Sequence, residues 1–274
     1  MSLRFVAGET LSEAVDVARQ ANQAGMPVSL NYLGENVSDA ASARESFDAY
    51  VAAIDALRIN SIDGNISVKL TQLGLGFDDD QCRQLLDELA QRAIDAGTTL
   101  TIDMEDSALT DLTLDMYEAA QQKFGNLGIA LQAYLKRTPQ DLARIAPLGG
   151  HIRLCKGAYD EPESIAFRTR PEVNAAYDRL LGELMADEGL LPAIATHDDA
   201  RVAAAVASAE GRVSPYEFQM LYGIRVSLQH QLVDDGLTMR SYIPYGDAWY
   251  QYLTRRMAER PANLWFFVRA LFGR

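Results

Sequence analysis

Two stretches of this 274-residue chain hold residue types that can do chemistry at short range. The first is Arg153-Leu154-Cys155-Lys156-Gly157-Ala158-Tyr159, which sets two cations beside a glycine. Glycine lets a ligand approach the main chain, and the cations can meet a phosphate or the electron-rich end of a flavin. A structural ion pair accounts for the same residue types equally well. The second is Trp249-Tyr250-Gln251-Tyr252-Leu253-Thr254-Arg255-Arg256, which reads as helix, so that Tyr252 shares a face with the arginines three and four residues on. Adjacent guanidinium groups suit bidentate capture of a carboxylate, with an aromatic face to wall off an apolar ring. Solvated arginines paired with Glu259 are the plain alternative.

Other chemistries find less support. The histidines are His151, His197 and His230, with no H-x-H or H-E-x-x-H spacing, and Cys82 and Cys155 lie far apart, so no metal site is assigned. A lone His197 after an apolar run is ordinarily a satisfied strand-end histidine. Gly74-Leu75-Gly76 lacks the third glycine of a Rossmann turn and the lysine of a Walker loop. Asp103 and Glu105 could serve a two-carboxylate glycosidase, although residues two apart on a strand point the same way and need not flank one bond.

Eight apolar or β-branched segments, at about residues 26–33, 65–73, 98–105, 127–134, 151–158, 190–197, 216–222 and 238–244, read as strands. Helical spacing separates them. From Gln81 to Ala96, for instance, Leu85, Leu86, Leu89, Ala93 and Ile94 share one side, behind the acidic opening Asp78-Asp79-Asp80. Repeated βα units imply a parallel sheet with right-handed crossovers, and eight of them at this length favour closure. The expected fold is α/β, a regular or distorted (βα)8 TIM-like barrel forming one domain over residues 1–274. A helix over about 8–24, stopped by Gly25 and followed by Pro27, precedes the first strand and is expected to cover or plug one barrel end.

Barrel sites lie where strands end, so the polar residues there should converge. They are Lys69, Asp103 with Glu105, Gln132, Arg153 with Lys156 and Tyr159, Thr196-His197-Asp198, Glu217 with Gln219, and Tyr242. Strands buried on both faces are normally almost continuous apolar sequence, so each of these needs a partner, a ligand or water.

Composition narrows the setting. A net charge of −13 counts against a phosphate-tracking nucleic-acid binder, and 48% hydrophobic residues suffice for a core. The first residues lack a signal-peptide pattern and two cysteines make no disulfide framework, which fits a reducing cytoplasm. No apolar run reaches the roughly 18 residues of a membrane span. The stretch Leu264 to Phe272 can touch a bilayer without crossing it, or pack on the barrel or a second subunit.

Arg153-Leu-Cys-Lys-Gly-Ala-Tyr159, Ala195-Thr-His197, Tyr216-Glu-Phe-Gln-Met-Leu-Tyr-Gly223, Tyr242-Ile-Pro-Tyr-Gly246 and Tyr252-Leu-Thr-Arg-Arg256 together resemble the proline dehydrogenase family, in order and spacing, over about Asn65 to Asn263. The chain looks like the monofunctional bacterial form. The resemblance implies FAD as cofactor and L-proline as substrate, oxidised to Δ1-pyrroline-5-carboxylate. It implies a quinone as electron acceptor, with peripheral contact at the inner face of the cell membrane, and a separate pyrroline-5-carboxylate dehydrogenase as a further partner.

By the same likeness Arg255 and Arg256 bind the proline carboxylate, Lys69 adds positive charge, and Tyr159, Leu221, Tyr242 and Tyr252 enclose the ring. Asp103 lies near substrate and flavin, and Arg153 donates toward flavin N5. Met104, Gln132, Lys156, Gly157, Ala158, Thr196, His197 and Gln219 fall at FAD contacts. Asp198 departs from the family's usual asparagine, and Arg168-Thr169-Arg170 from a Thr-Thr-Lys-like segment; both changes touch the dinucleotide tail more than the chemistry. Another cyclic imino acid such as hydroxyproline, or a non-catalytic barrel binding flavin or an amino acid, are the competing readings.

Overall fold

A computed structural model describes residues 5–248. Eight parallel strands close into a barrel in chain order: β1 (Val28–Tyr32), β2 (Gly64–Val68), β3 (Leu100–Ile102), β4 (Leu127–Gln132), β5 (Gly150–Cys155), β6 (Leu190–Ala195), β7 (Glu217–Leu221) and β8 (Met239–Tyr245). The ring closes where β8 pairs with β1, with Val28 opposite Ser241 and Tyr32 opposite Tyr245. All eight expected strands are present. Most are shorter than their apolar runs, β2 and β3 most of all: β2 stops at Val68, and Leu70–Leu73 form a buried 3-10 turn that ends on Gly74 in the left-handed conformation (φ 104°). An uninterrupted apolar run does not distinguish a buried strand from a buried turn. After β3 the ladder gives one further bond, Asp103 N–H to Val68 O at 2.8 Å.

The helices are α1 (Leu11–Gln23), α2 (Ala40–Ile59), α3 (Asp79–Asp95), α4 (Thr110–Phe124), α5 (Thr138–Ile145), α6 (Arg170–Ala186), α7 (Asp199–Ser208) and α8 (Val226–Asp234). In α3, the Asp78 side chain caps the first turn by accepting from Gln81 N–H, as the acidic run promised. Its buried face is Cys82, Leu85, Leu86, Leu89, Ala90 and Ala93; Ile94, expected on that face, is 41% exposed because it stands about 100° round the helix from the buried Ala93, off the side of the stripe.

The first helix does not plug an end. The residues leading into it meet the carboxyl end of β8, through Ala7 N–H to Pro244 O, and the turn after it, closed by Met26 N–H to Ala21 O, leads directly into the start of β1. It therefore runs antiparallel to the strands along the seam between β8 and β1, where Ala14, Val15 and Ala18 are buried.

Side chains alternate across each strand. Those under the helices, such as Leu30, Ile66, Ile102, Ile152, Leu154, Phe218 and Ile243, form one apolar core. Those facing the barrel axis are largely polar, and bonds between non-adjacent strands prove their direction: Arg153 of β5 reaches Ser67 of β2, and Tyr242 of β8 reaches Asp103 beyond β3.

Candidate active site

Asp103 is the hub of the mouth. One carboxylate oxygen accepts from Ser67 Oγ at 2.8 Å and from Arg153 Nη1; the other accepts from Tyr242 OH at 2.7 Å and Lys69 Nζ at 3.3 Å. Burial alone would raise its pKa, but the charges of Lys69 and Arg153 and these bonds hold it down at about 2. It is therefore an anion at any pH near neutrality. For Lys69, burial would favour the neutral amine; the Asp103 charge outweighs it and raises the ammonium above its ordinary value. Two buried cations around one anion give this trio one unit of excess positive charge.

Arg153 is the second hub. Its Nε donates to Gln219 Oε1 at 2.6 Å and its Nη1 to Ser67 Oγ at 2.9 Å, while its guanidinium lies 5.1 Å from the Tyr242 ring centre. Its Nη2, equally buried, has no partner among the described residues. Gln132 shows the complementary lack: its Nε2 donates to Met104 O and Glu105 O at 3.0 and 2.8 Å, and its Oε1 is buried with no donor among the described residues. A spare donor and a spare acceptor on adjacent strands are the features that buried polar groups normally avoid.

Around this centre the other residues read from the sequence take several positions. Tyr159 and Leu221 are half-buried at the strand ends. Met104 is buried, and Gly157 takes φ 117° where a Cβ would strike the Tyr134 ring at 2.1 Å, so only glycine allows the β5 exit turn to pack there, with Ala158 following. Thr196 is buried and its Oγ1 accepts from Asp198 N–H. His197 Nε2 accepts from Leu221 N–H at 3.0 Å; burial, helped by the Arg225 charge, pushes its pKa down to about 4, so it is neutral. Lys156 turns outward, its ammonium 2.8 Å from both Asn174 Oδ1 and Asp198 Oδ2. The departing residue Asp198 thus holds the very cation expected to face the cofactor. Arg168 is engaged by Asp160 and Glu161 O, and Thr169 caps α6.

Two expectations are corrected. Glu217 is not at the mouth: it opens β7 and sits at the amino end of the barrel with His151 and Arg240. Glu105 does not face Asp103 but the 3-10 turn, where Thr71 N–H and Oγ1 bond its two oxygens; burial pushes its pKa up to about 7.

Ser67 was not singled out, yet it bridges Arg153 and Asp103; its place two residues before Lys69, on the same face, was the available signal. Glu161 was also missed. Its carboxylate accepts from Ser107 N–H at 2.7 Å and Oγ at 2.6 Å, tying the loop that carries Tyr159 to the loop after β3.

The proline dehydrogenase family model matches residues 14–269 of the chain. The chain belongs to the proline dehydrogenase family. Proline dehydrogenase 1 of Bacillus subtilis (strain 168) is 36% identical over 271 residues, which cover 98% of this chain and 89% of the relative. Proline dehydrogenase of Deinococcus radiodurans is 34% identical over 281 residues with the same coverage. Among solved structures, proline utilization A (PutA) from Bdellovibrio bacteriovorus, inactivated by N-propargylglycine, superposes with a TM-score of 0.84 at 24% identity, a likeness of fold. It covers 98% of this chain, which spans only 32% of that PutA chain. Membership removes the glycosidase reading of Asp103 and Glu105. Of the proline dehydrogenase residues inferred from sequence, Tyr252, Arg255 and Arg256 lie outside the described residues, as does Leu264 to Phe272. Among the described residues no helix is long and apolar enough to cross a membrane.

Proposed function

We propose that this chain binds FAD and oxidises L-proline to Δ1-pyrroline-5-carboxylate, the first step of proline catabolism. The observation that carries the reading is the pair of buried, unmatched atoms at the mouth, Arg153 Nη2 and Gln132 Oε1. The edge of a flavin ring offers both acceptors and an N–H donor, so the residues present fit the group. When bound, FAD supplies the hydride acceptor, N5.

The chain's own residues then do three things. Arg153 aims a fixed N–H at the place where negative charge arrives, a donor that needs no reorganisation. Lys69, with Arg255 and Arg256 by likeness to the family, supplies the positive charge that holds a carboxylate, while Tyr159, Leu221, Tyr242 and Tyr252 wall the ring. Asp103 is too weak a base at about 2 to take the amine proton, so its part is electrostatic: a fixed anion that favours the positive charge developing on the substrate nitrogen. The amine proton leaves to water, and the hydride leaves the adjacent carbon, giving the C=N product two hydrogens lighter than proline.

Gln132 and Gln219, with Met104, Gly157, Ala158, Thr196 and His197, would line the flavin, and Lys156 would be available to it only in competition with Asp198. Electrons are proposed to pass to a membrane quinone, and the product to a separate pyrroline-5-carboxylate dehydrogenase. To test the reading, the purified chain is loaded with FAD and supplied with L-proline without oxygen. Bleaching of the flavin with formation of a product two mass units below proline supports it; a loaded chain that stays yellow refutes it and leaves a non-catalytic barrel. Faster bleaching by hydroxyproline than by proline would reassign the substrate.

A further inference from the structure

Glu217 lies at the end of the barrel away from the mouth, and nothing in the chemistry above requires a carboxylate there. It nevertheless carries four side-chain bonds, as many as Asp103. Arg240 donates to both its oxygens, from Nε at 2.7 Å and Nη2 at 2.9 Å; His151 Nε2 lies 3.1 Å from Oε1; and Gln219 Nε2 donates to Oε1 at 2.6 Å. Arg240 is itself tied to Val28 O at 2.9 Å, so the carboxylate is braced from β1, β5 and β8 at once.

The consequence lies two residues further up β7. A glutamine amide can turn over, exchanging its oxygen with its NH2 group. Gln219 has Arg153 Nε on one side, which can only donate, and Glu217 on the other, which when ionised can only accept. Only one orientation satisfies both, and the reverse sets N–H against N–H and oxygen against oxygen. Burial by itself would raise the Glu217 pKa, but the bonds and charges of His151 and Arg240 hold it well below the usual carboxylate range, so it does not become a donor. With Nε fixed by Gln219 and Nη1 fixed by Ser67 and Asp103, the planar guanidinium has no freedom left, and Nη2 points where those bonds dictate.

We propose that Glu217 is a positioning residue for the reaction: from the amino end of the barrel it fixes which end of the Gln219 amide faces Arg153, and through it the direction of the unmatched Arg153 N–H groups. This rests on the reading of Arg153 as the flavin-facing donor.

The test uses full-length chain with Glu217→Gln, which keeps shape but can donate as well as accept. In flavin-free protein, nitrogen-15 spectra follow solvent exchange of Arg153 Nε–H, expected to quicken about tenfold for loss of one net hydrogen bond. In FAD-loaded protein, bleaching by proline should slow by about the same factor while KM for proline stays within about twofold, and the flavin midpoint potential should move. The double variant Glu217→Gln/Gln219→Met should be no slower than Gln219→Met alone, because both act through one bond. Unchanged exchange and potential, or losses that multiply in the double variant, overturn the proposal. If Glu217→Gln does not fold, Arg240→Lys loosens the same brace, and unchanged Nε–H exchange there overturns it equally. A wild-type chain that folds but takes up no FAD defeats the functional reading instead, and the flavin-free exchange measurement still decides this one.

Discussion

On β5, Ile152 and Leu154 are buried among apolar side chains of the helical layer, while Arg153 between them is equally buried and bonds to Gln219, Ser67 and Asp103. On β7, Phe218 and Met220 share that apolar core, while Glu217 and Gln219 join the interior web. The outward set works by area and volume, which many side chains can supply. The inward set works by pairing, where each donor requires a particular acceptor and a buried group left without one is costly. A stable barrel needs only the first set to be apolar. The second can carry charge because its charged groups pair with one another, Arg153 and Lys69 with Asp103, and Arg240 with Glu217.

Four substitutions or conditions separate these roles. The largest stability loss belongs to the outer set: Phe218→Ala, at a fully buried site, should cost about 3–5 kcal/mol in denaturant unfolding. Its bleaching rate per folded, FAD-loaded molecule should be unchanged, and a site-specific rate loss there would erase the distinction. Asp103→Asn leaves the buried cations Lys69 and Arg153 without their counter-charge, for a loss of roughly 3 kcal/mol by the same measurement, this time with slower flavin reduction. Tyr242→Phe removes one hydrogen bond to Asp103 and should cost about 1 kcal/mol, with a rise in KM for proline.

The smallest effect is that of pH. Burial holds His197 at about 4 against an ordinary 6.5, so between those values the unfolded chain binds more protons than the folded one. Its contribution is complete above pH 6.5 and is lost as pH falls toward 4. Glu105 works in the opposite sense: raised from 4.5 to about 7, it contributes fully below 4.5 and the contribution is lost as pH rises through 7. Melting curves of wild type and His197→Gln should therefore converge as pH is lowered from 7 to 4; a constant gap would show that His197 is not held neutral.

The barrel was legible because alternating strand and helix patterns are local, and the Arg153 segment because its residue types are unusual inside a strand. The flanking position of α1 was not, since its amphipathic face says that it packs but not where. Glu217 and Gln219 read as one strand end because their spacing gives a shared face without giving depth; depth depends on where β7 begins relative to its neighbours, which only the register shows. The Glu161 link to Ser107 joins loops 54 residues apart and left no local trace.

On the function proposed for this chain, the inward face of the barrel, with Arg153 at its centre, serves to reduce a flavin with proline. Anaerobic stopped-flow of the FAD-loaded chain against Arg153→Met tests it most directly. L-proline should bleach the wild type, and the variant should be slower by about 10²–10³, the usual cost of removing a donor aimed at developing charge, with proline binding affected less. Equal rates in the two proteins would contradict it.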